Sequence, residues 1–300
     1  MKNAAAYPSR LHRRKIILEK TKRISWSIIR TVIIIGLCFE ILYPFLIKIL
    51  QAFMTTSDLL DPTVKIFPRE FSLASIVKTF QDINFIHSFF NSFILSFSLS
   101  VIQLFVCTTI GYGFARFRFR LNSFFFVMLI ITLVIPIQLY NTSAFIYFKN
   151  LNLIGNIIPF YILSATGLGM KNGLFVFLMR QFFRGLPKEL EDAAYIDGCG
   201  YYKTFFRIIL PNARTSILTV LLFSVVWYWN DYFMTSMYTS INTVSTALSM
   251  LAESSVNLDS YIKPSLLQSG CLLVMLPLLI LYLCCERFFT GGIERSGIVG

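Results

Sequence analysis

Residues 89–110 read FFNSFILSFSLSVIQLFVCTTI, a run of 22 positions without a formal charge. About 20 apolar residues rising 1.5 Å each cross the roughly 30 Å hydrocarbon core of a bilayer, so this stretch predicts a spanning helix. Working outward from it, five further runs of similar character lie at 31–50, 123–144, 158–183, 215–237 and 266–285. The expected fold class is an all-α integral membrane protein with six transmembrane helices. The fourth run is the least regular, because Gly167, Gly169, Lys171, Asn172 and Gly173 interrupt it.

Composition agrees with a bilayer as the surrounding solvent. Of the 300 residues 56% are apolar, 31 are Phe and only 14% are charged, a mixture that cannot furnish a water-exposed exterior. The formal net charge of +12 comes from Lys and Arg that flank apolar runs instead of forming a basic face with interleaved aromatics. That placement argues against nucleic acid as a partner. Cys38, Cys107, Cys199, Cys271, Cys284 and Cys285 are scattered, mostly inside apolar runs, without metal-ligand spacing. They read as small apolar fillers, and neither a metal nor a cofactor is expected. Residues 1–24 form a basic arm carrying Lys2, Arg10, Arg13, Arg14, Lys15, Lys20, Lys22 and Arg23. The apolar run after it lacks a small-residue cleavage site and reads as an uncleaved span.

Cytoplasmic flanks retain Lys and Arg, which sets an orientation. With both termini inside, the inner segments hold twenty basic residues: nine up to Arg30, then Arg116, Arg118 and Arg120, six from Arg180 to Arg214, and Arg287 with Arg295. The outer segments hold five, Lys65, Arg69, Lys78, Lys149 and Lys263, while Lys48 and Lys171 fall within runs. The expectation is a multi-pass protein of the cytoplasmic membrane with both termini in the cytoplasm. The outer segment 51–87, with Asp58, Asp61, Pro62, Pro68, Glu70 and Asp82, is too short for a domain and reads as a loop with one short helix.

The longest inner loop, 184–211, reads RGLPKELEDAAYIDGCGYYKTFFRIILP. Pro187 suits a first helical position, and Glu189, Glu191 and Asp192 follow where negative charge meets the positive end of the helix dipole. Leu186, Leu190, Ala193 and Ala194 fall on one stripe, with the acids expected largely on the other face. Gly198 can take the left-handed conformation that ends a helix, and a second amphipathic stretch runs from Tyr201 to Ile209 before Pro211. Such a helix is either a solvated connection or a docking element, since small residues permit close approach and acids offer partners to Arg or Lys.

The spacing Asp192-Ala193-Ala194, three residues, Gly198, nine residues, Ile208-x-Leu210-Pro211 resembles the EAA loop of binding-protein-dependent ABC importer permeases, with Asp in place of the usual Glu. Further motifs agree: Asn91-Ser92, GYGFARFRF at 111–119, FLMRQFF at 177–183 and Trp229-Asn230-Asp231. Together they are similar to the carbohydrate-uptake branch, specifically the smaller permease of maltose-type importers. The tail ERFFTGGIERSGIVG at 286–300 is also similar, except that Val299 stands where the family often has a basic residue.

The resemblance implies a type I importer permease fold over 25–300, with 184–211 as the coupling loop. It implies a second homologous permease, a cytoplasmic ATPase dimer and an extracytoplasmic solute-binding protein as partners. It also implies that Leu190, Glu191, Asp192, Ala193, Ala194, Asp197, Gly198, Ile208, Leu210 and Pro211 meet the ATPase, whose closure would rotate the spans. No G-x-x-x-x-G-K-[ST] occurs in this chain, so ATP hydrolysis is expected in a partner, and no catalytic residue is assigned.

Other polar residues are candidates for a solute path. Lys171 and Asn172 fall about 18 Å from the inner end of the fourth run at 1.5 Å per residue. Trp227, Trp229, Asn230 and Asp231 combine ring faces with hydrogen-bonding groups, which suits either a sugar or an interfacial aromatic belt. Glu40, mid-way along the first run, reads as a helix-pairing or protonated group, and His12 and His87 as ordinary histidines. A membrane enzyme would need a catalytic constellation that two isolated histidines do not supply, and a secondary transporter would show repeated halves. A peptide or polyol permease is the nearer alternative.

Overall fold

The computed structural model describes residues 10–64, 66–254 and 263–296. Lys2, Lys65 and Val299 lie outside the described residues, as do the side chains of His12, Lys263, Arg287 and Arg295.

Among the described residues the secondary structure is helical, joined by short loops. Helix α1 (Arg10–Ala52) is followed by the short α2 (Thr56–Leu60) and α3 (Ala74–Asp82), then by the long α4 (Phe85–Arg116). Next come α5 (Asn122–Val134), α6 (Ile137–Asn150), α7 (Ile158–Ala165) and α8 (Asn172–Gly185). The inner loop holds α9 (Glu189–Ile196), α10 (Tyr201–Thr204), a π-helical turn (Phe205–Ile209) and α11 (Leu210–Asn212). The chain then forms α12 (Arg214–Asn230), α13 (Phe233–Tyr238), α14 (Val244–Ser254) and α15 (Lys263–Ser296).

All six predicted runs fall on helices, yet six unbroken spans are not observed. Among the described residues three helices are long and apolar enough to cross a membrane: Glu19–Ala52, Phe85–Arg116 and Pro264–Glu286. Two further runs belong to bent pairs, Asn122–Val134 with Leu139–Asn150 at 97° and Tyr201–Asn212 with Arg214–Asn230 at 78°. The first bend has a local cause. Pro136 lacks an N–H and disfavours helical geometry in the residue before it, and Ile135 is accordingly extended (φ −72°, ψ 120°). The fourth run splits into α7 and α8, because between them Gly167 (φ +80°) and Lys171 (φ +56°) are left-handed.

Helix α4 is the centre of the packing, lying against α8, α12 and α7. Ser88, Ser92, Ser96 and Ser100 recur every fourth residue on its buried face, followed by Gln103, Cys107 and Gly111. Small residues on such a stripe let neighbouring backbones approach where lipid gives no hydrophobic drive. At Gly111 the approach is tightest, since an added Cβ would lie 2.7 Å from Met179 Cβ and 3.0 Å from the Arg180 backbone nitrogen. The opposite face of α4 presents Phe90, Phe93, Ile94, Phe97 and Phe105 outward. Helix α1 packs along α15 near its C-terminal end, and the part of its span that carries Glu40 is exposed in this chain.

Candidate functional site: the inner loop and the broken fourth span

Helix α9 begins at Glu189, two residues after the predicted start at Pro187. Its first turn carries the three expected acids, and the Lys188 carbonyl accepts from the amides of Glu191 (2.9 Å) and Asp192 (3.1 Å). The helix ends on Gly198 at φ +77°, with Gly198 N–H donating to Tyr195 O (3.0 Å) and Cys199 N–H to Ala194 O (2.9 Å). A side chain at that left-handed position would be strained, which is why glycine serves there. The predicted second stretch is not a single α-helix. It widens into the π turn just ahead of Pro211, whose ring clashes with the carbonyl four residues back in a regular α-helix.

The faces of α9 differ from the expected division of apolar stripe and acidic rim. Glu191 and Ala194 are the buried pair, 8% and 2% exposed, while Ala193 and Asp192 face out and Leu190 stands at the border. Glu191 turns inward because its charge is met there: Arg116 Nε lies 3.1 Å from Glu191 Oε1, and the Tyr112 hydroxyl donates to the same oxygen at 3.1 Å. The outer edge carries Asp192, Ala193, Asp197, Gly198 and Ile196, the last 86% exposed, with Tyr201 and Tyr202 beside it. Ile208 and Leu210 are half-buried and Pro211 is exposed. Desolvation, reinforced by the Glu191 charge, raises the Tyr195 phenol above its ordinary range.

The candidate solute-path residues separate into two groups. Lys171, Trp227 and Asn230 are exposed in this chain, with Lys171 Nζ 4.8 Å from the centre of the Trp227 ring. Asn172, Trp229 and Asp231 are buried in this chain, and each makes hydrogen bonds within it. Asn172 donates to Gly167 O (2.8 Å) and accepts from Gln103 Nε2 (3.0 Å) and Cys107 Sγ (2.9 Å), clamping the break in the fourth run against α4. Trp229 Nε1 donates to Val274 O (3.2 Å). Asp231 accepts from the amides of Met234 (3.2 Å) and Thr235 (2.9 Å), fixing the start of α13.

With this geometry in view, the profile of the binding-protein-dependent transport system inner membrane component family matches residues 107–291. The chain belongs to this family. It is 28% identical over 271 residues to the arabinooligosaccharide transport system permease protein AraQ of Halalkalibacterium halodurans, covering 88% of this chain and 93% of that one. It is 29% identical over 210 residues to the sn-glycerol-3-phosphate transport system permease protein UgpE of Yersinia enterocolitica, covering 69% of this chain and 72% of the relative. In fold it resembles a bacterial ABC transporter involved in the import of the acidic polysaccharide alginate, with a TM-score of 0.73 at 18% identity over 95% of this chain and 100% of the other. It is thus an inner membrane component of a binding-protein-dependent transport system, and the relatives named are transport permeases.

Sequence reasoning gave no task to several residues of this permease that the structure ties together. Asn91 Nδ2 donates to Asn242 O (2.9 Å), and Ser92 Oγ accepts from the Val244 amide (2.8 Å), so the Asn91-Ser92 motif fastens α4 to the start of α14. Asn91 also lies 3.2 Å from His87 Nδ1, giving that histidine a neighbour one turn away. Gln103 joins three helices through Met170 O (2.6 Å), Asn172 and Ser224 Oγ (2.7 Å). A cleft of about 650 Å³ between α1, α14 and α15 is lined by Lys48, Tyr232, Ser245, Ser249 and Gln268 among others, and by none of the predicted path residues.

Proposed function

We propose that this permease forms half of the translocation pathway for a carbohydrate-type solute, beside a second homologous permease, with loop 184–211 docked on a cytoplasmic ATPase dimer. An extracytoplasmic solute-binding protein delivers the solute, and ATP is hydrolysed in the ATPase. The supporting observation is the free outer edge of α9, where Asp192, Ala193, Ile196 and Asp197 stay exposed while Glu191 and Ala194 anchor the helix from beneath. Ala193 permits a groove wall to come close, and the two acids offer charge-assisted hydrogen bonds to Arg or Lys.

The carbohydrate class is supported by the likeness to AraQ along nearly its whole length. Trp227 offers an apolar ring face and Asn230 an amide, a pairing that suits the CH and OH faces of a sugar, and Lys171 extends this surface. A phosphorylated polyol is the second reading, favoured by the exposed Lys171 cation and the likeness to UgpE. The twenty-to-five asymmetry of basic residues supports both termini in the cytoplasm. The test is Ile196→Cys in a background without native cysteines, assembled with the second permease and the ATPase. Oxidation is expected to yield a permease–ATPase adduct with single-cysteine ATPase variants, and the absence of any adduct across a scan of ATPase surface positions counts against the docking.

A further inference from the structure

Helix α9 is joined along the chain by two non-helical connections, 186–188 and 197–200, and packs beside the π turn and α10. A lateral polar contact also ties it to the end of α4. The Arg116 side chain at the end of α4, 5% exposed, lies in ion-pair contact with Glu191 of α9, and its Nη2 donates to Leu186 O (2.8 Å) at the end of α8. One guanidinium therefore ties three elements. Tyr112, one turn earlier on α4, adds its hydroxyl to the same Glu191 oxygen while its ring packs on Phe183 of α8 and Phe205 of the π turn.

Well-packed apolar residues replace a buried ion pair without loss of stability in many proteins, whereas removing one partner is strongly destabilising. The pair's distinctive property is geometric: it allows one relative placement of α9 and α4. We propose that Glu191, Arg116 and Tyr112 form the linkage through which movement of α9 is delivered to α4, making them positioning residues for transport. Glu191 in this role faces into the permease and is not itself an ATPase contact. The inference rests on the docking of α9 proposed above.

The experiment compares Glu191→Gln, Tyr112→Phe and the double variant Glu191→Met with Arg116→Met, which leaves no lone buried charge. Each is assembled with the second permease, the ATPase and the solute-binding protein in proteoliposomes. Permease abundance, ATPase co-purification, ATP hydrolysis and solute uptake are measured together. For the double variant the expected result is normal abundance and assembly, retained hydrolysis, and uptake per ATP reduced about fivefold or more, with a smaller reduction for Tyr112→Phe. Glu191→Gln, which leaves the Arg116 charge buried alone, is expected to accumulate less and to show the same loss of uptake per ATP. Unchanged uptake per ATP in the double variant would overturn the linkage. Loss of ATPase co-purification by Glu191→Gln at normal abundance overturns it as well, because Glu191 would then be a docking contact. If Glu191→Gln fails to accumulate, the double variant and Tyr112→Phe decide. Failure of docking itself is read separately, as normal assembly and uptake by Ala193→Trp.

Discussion

Asn172→Leu removes three hydrogen bonds at the break in the fourth run while keeping side-chain volume nearly constant. Its amide holds Gly167 O at 2.8 Å and receives Gln103 Nε2 at 3.0 Å and Cys107 Sγ at 2.9 Å, and its neighbour Lys171 is left-handed. Hydrogen bonds between membrane helices contribute about 0.6 kcal/mol each on average, so losing three destabilises the permease by about 2 kcal/mol. For a chain of 300 residues that lowers the thermal midpoint by about 3 °C. The assay is thermal unfolding of the purified complex in detergent beside the concentration dependence of uptake. A lower midpoint with an unchanged half-saturating solute concentration is the expected result. An unchanged midpoint with weakened half-saturation refutes the clamp and returns Asn172 to the solute path.

Gly111→Val drives α4 and α8 apart, because even the first added carbon meets Met179 Cβ at 2.7 Å, and overpacking of this kind costs about 1–3 kcal/mol. Folded permease, measured by size-exclusion of a fluorescent fusion, is expected to fall, while Gly113→Val, which has open space, stays near wild type. Orientation is checked by labelling introduced cysteines in intact cells. A residue at Asp61 is expected to react from outside and one at Arg118 to be protected, and the reverse pattern overturns the topology.

Much of this architecture was legible because the bilayer imposes a long, uninterrupted apolar signal, as in 89–110. The end of α9 was legible too, since a glycine such as Gly198 announces a left-handed turn. What the pattern hid was the direction of individual polar groups. Glu191 lies in a run of acids and reads as solvent-facing, but its position one turn from Ala194 turns it toward Arg116, which lies 75 residues away in sequence. Periodicity carries no record of such a partner. Asn172 read as a candidate path residue from its depth along the fourth run and Asp231 from its hydrogen-bonding group beside ring faces; that both also satisfy backbone where the chain breaks is invisible in the pattern. The serines at 88, 92, 96 and 100 were a readable signal, four residues apart, for the buried face of α4.

The central claim is that the outer edge of α9 docks on the ATPase, and Ala193→Trp tests it most directly. Ala193 is exposed on that edge, so an indole there leaves the permease's own packing intact but overfills a closely fitting groove. Membrane abundance by blot, co-purification of the ATPase and solute uptake are measured in the same cells, with Asp192→Glu as the tolerated comparison. The account predicts normal abundance with loss of both ATPase association and uptake, whereas normal association and uptake by Ala193→Trp would contradict it.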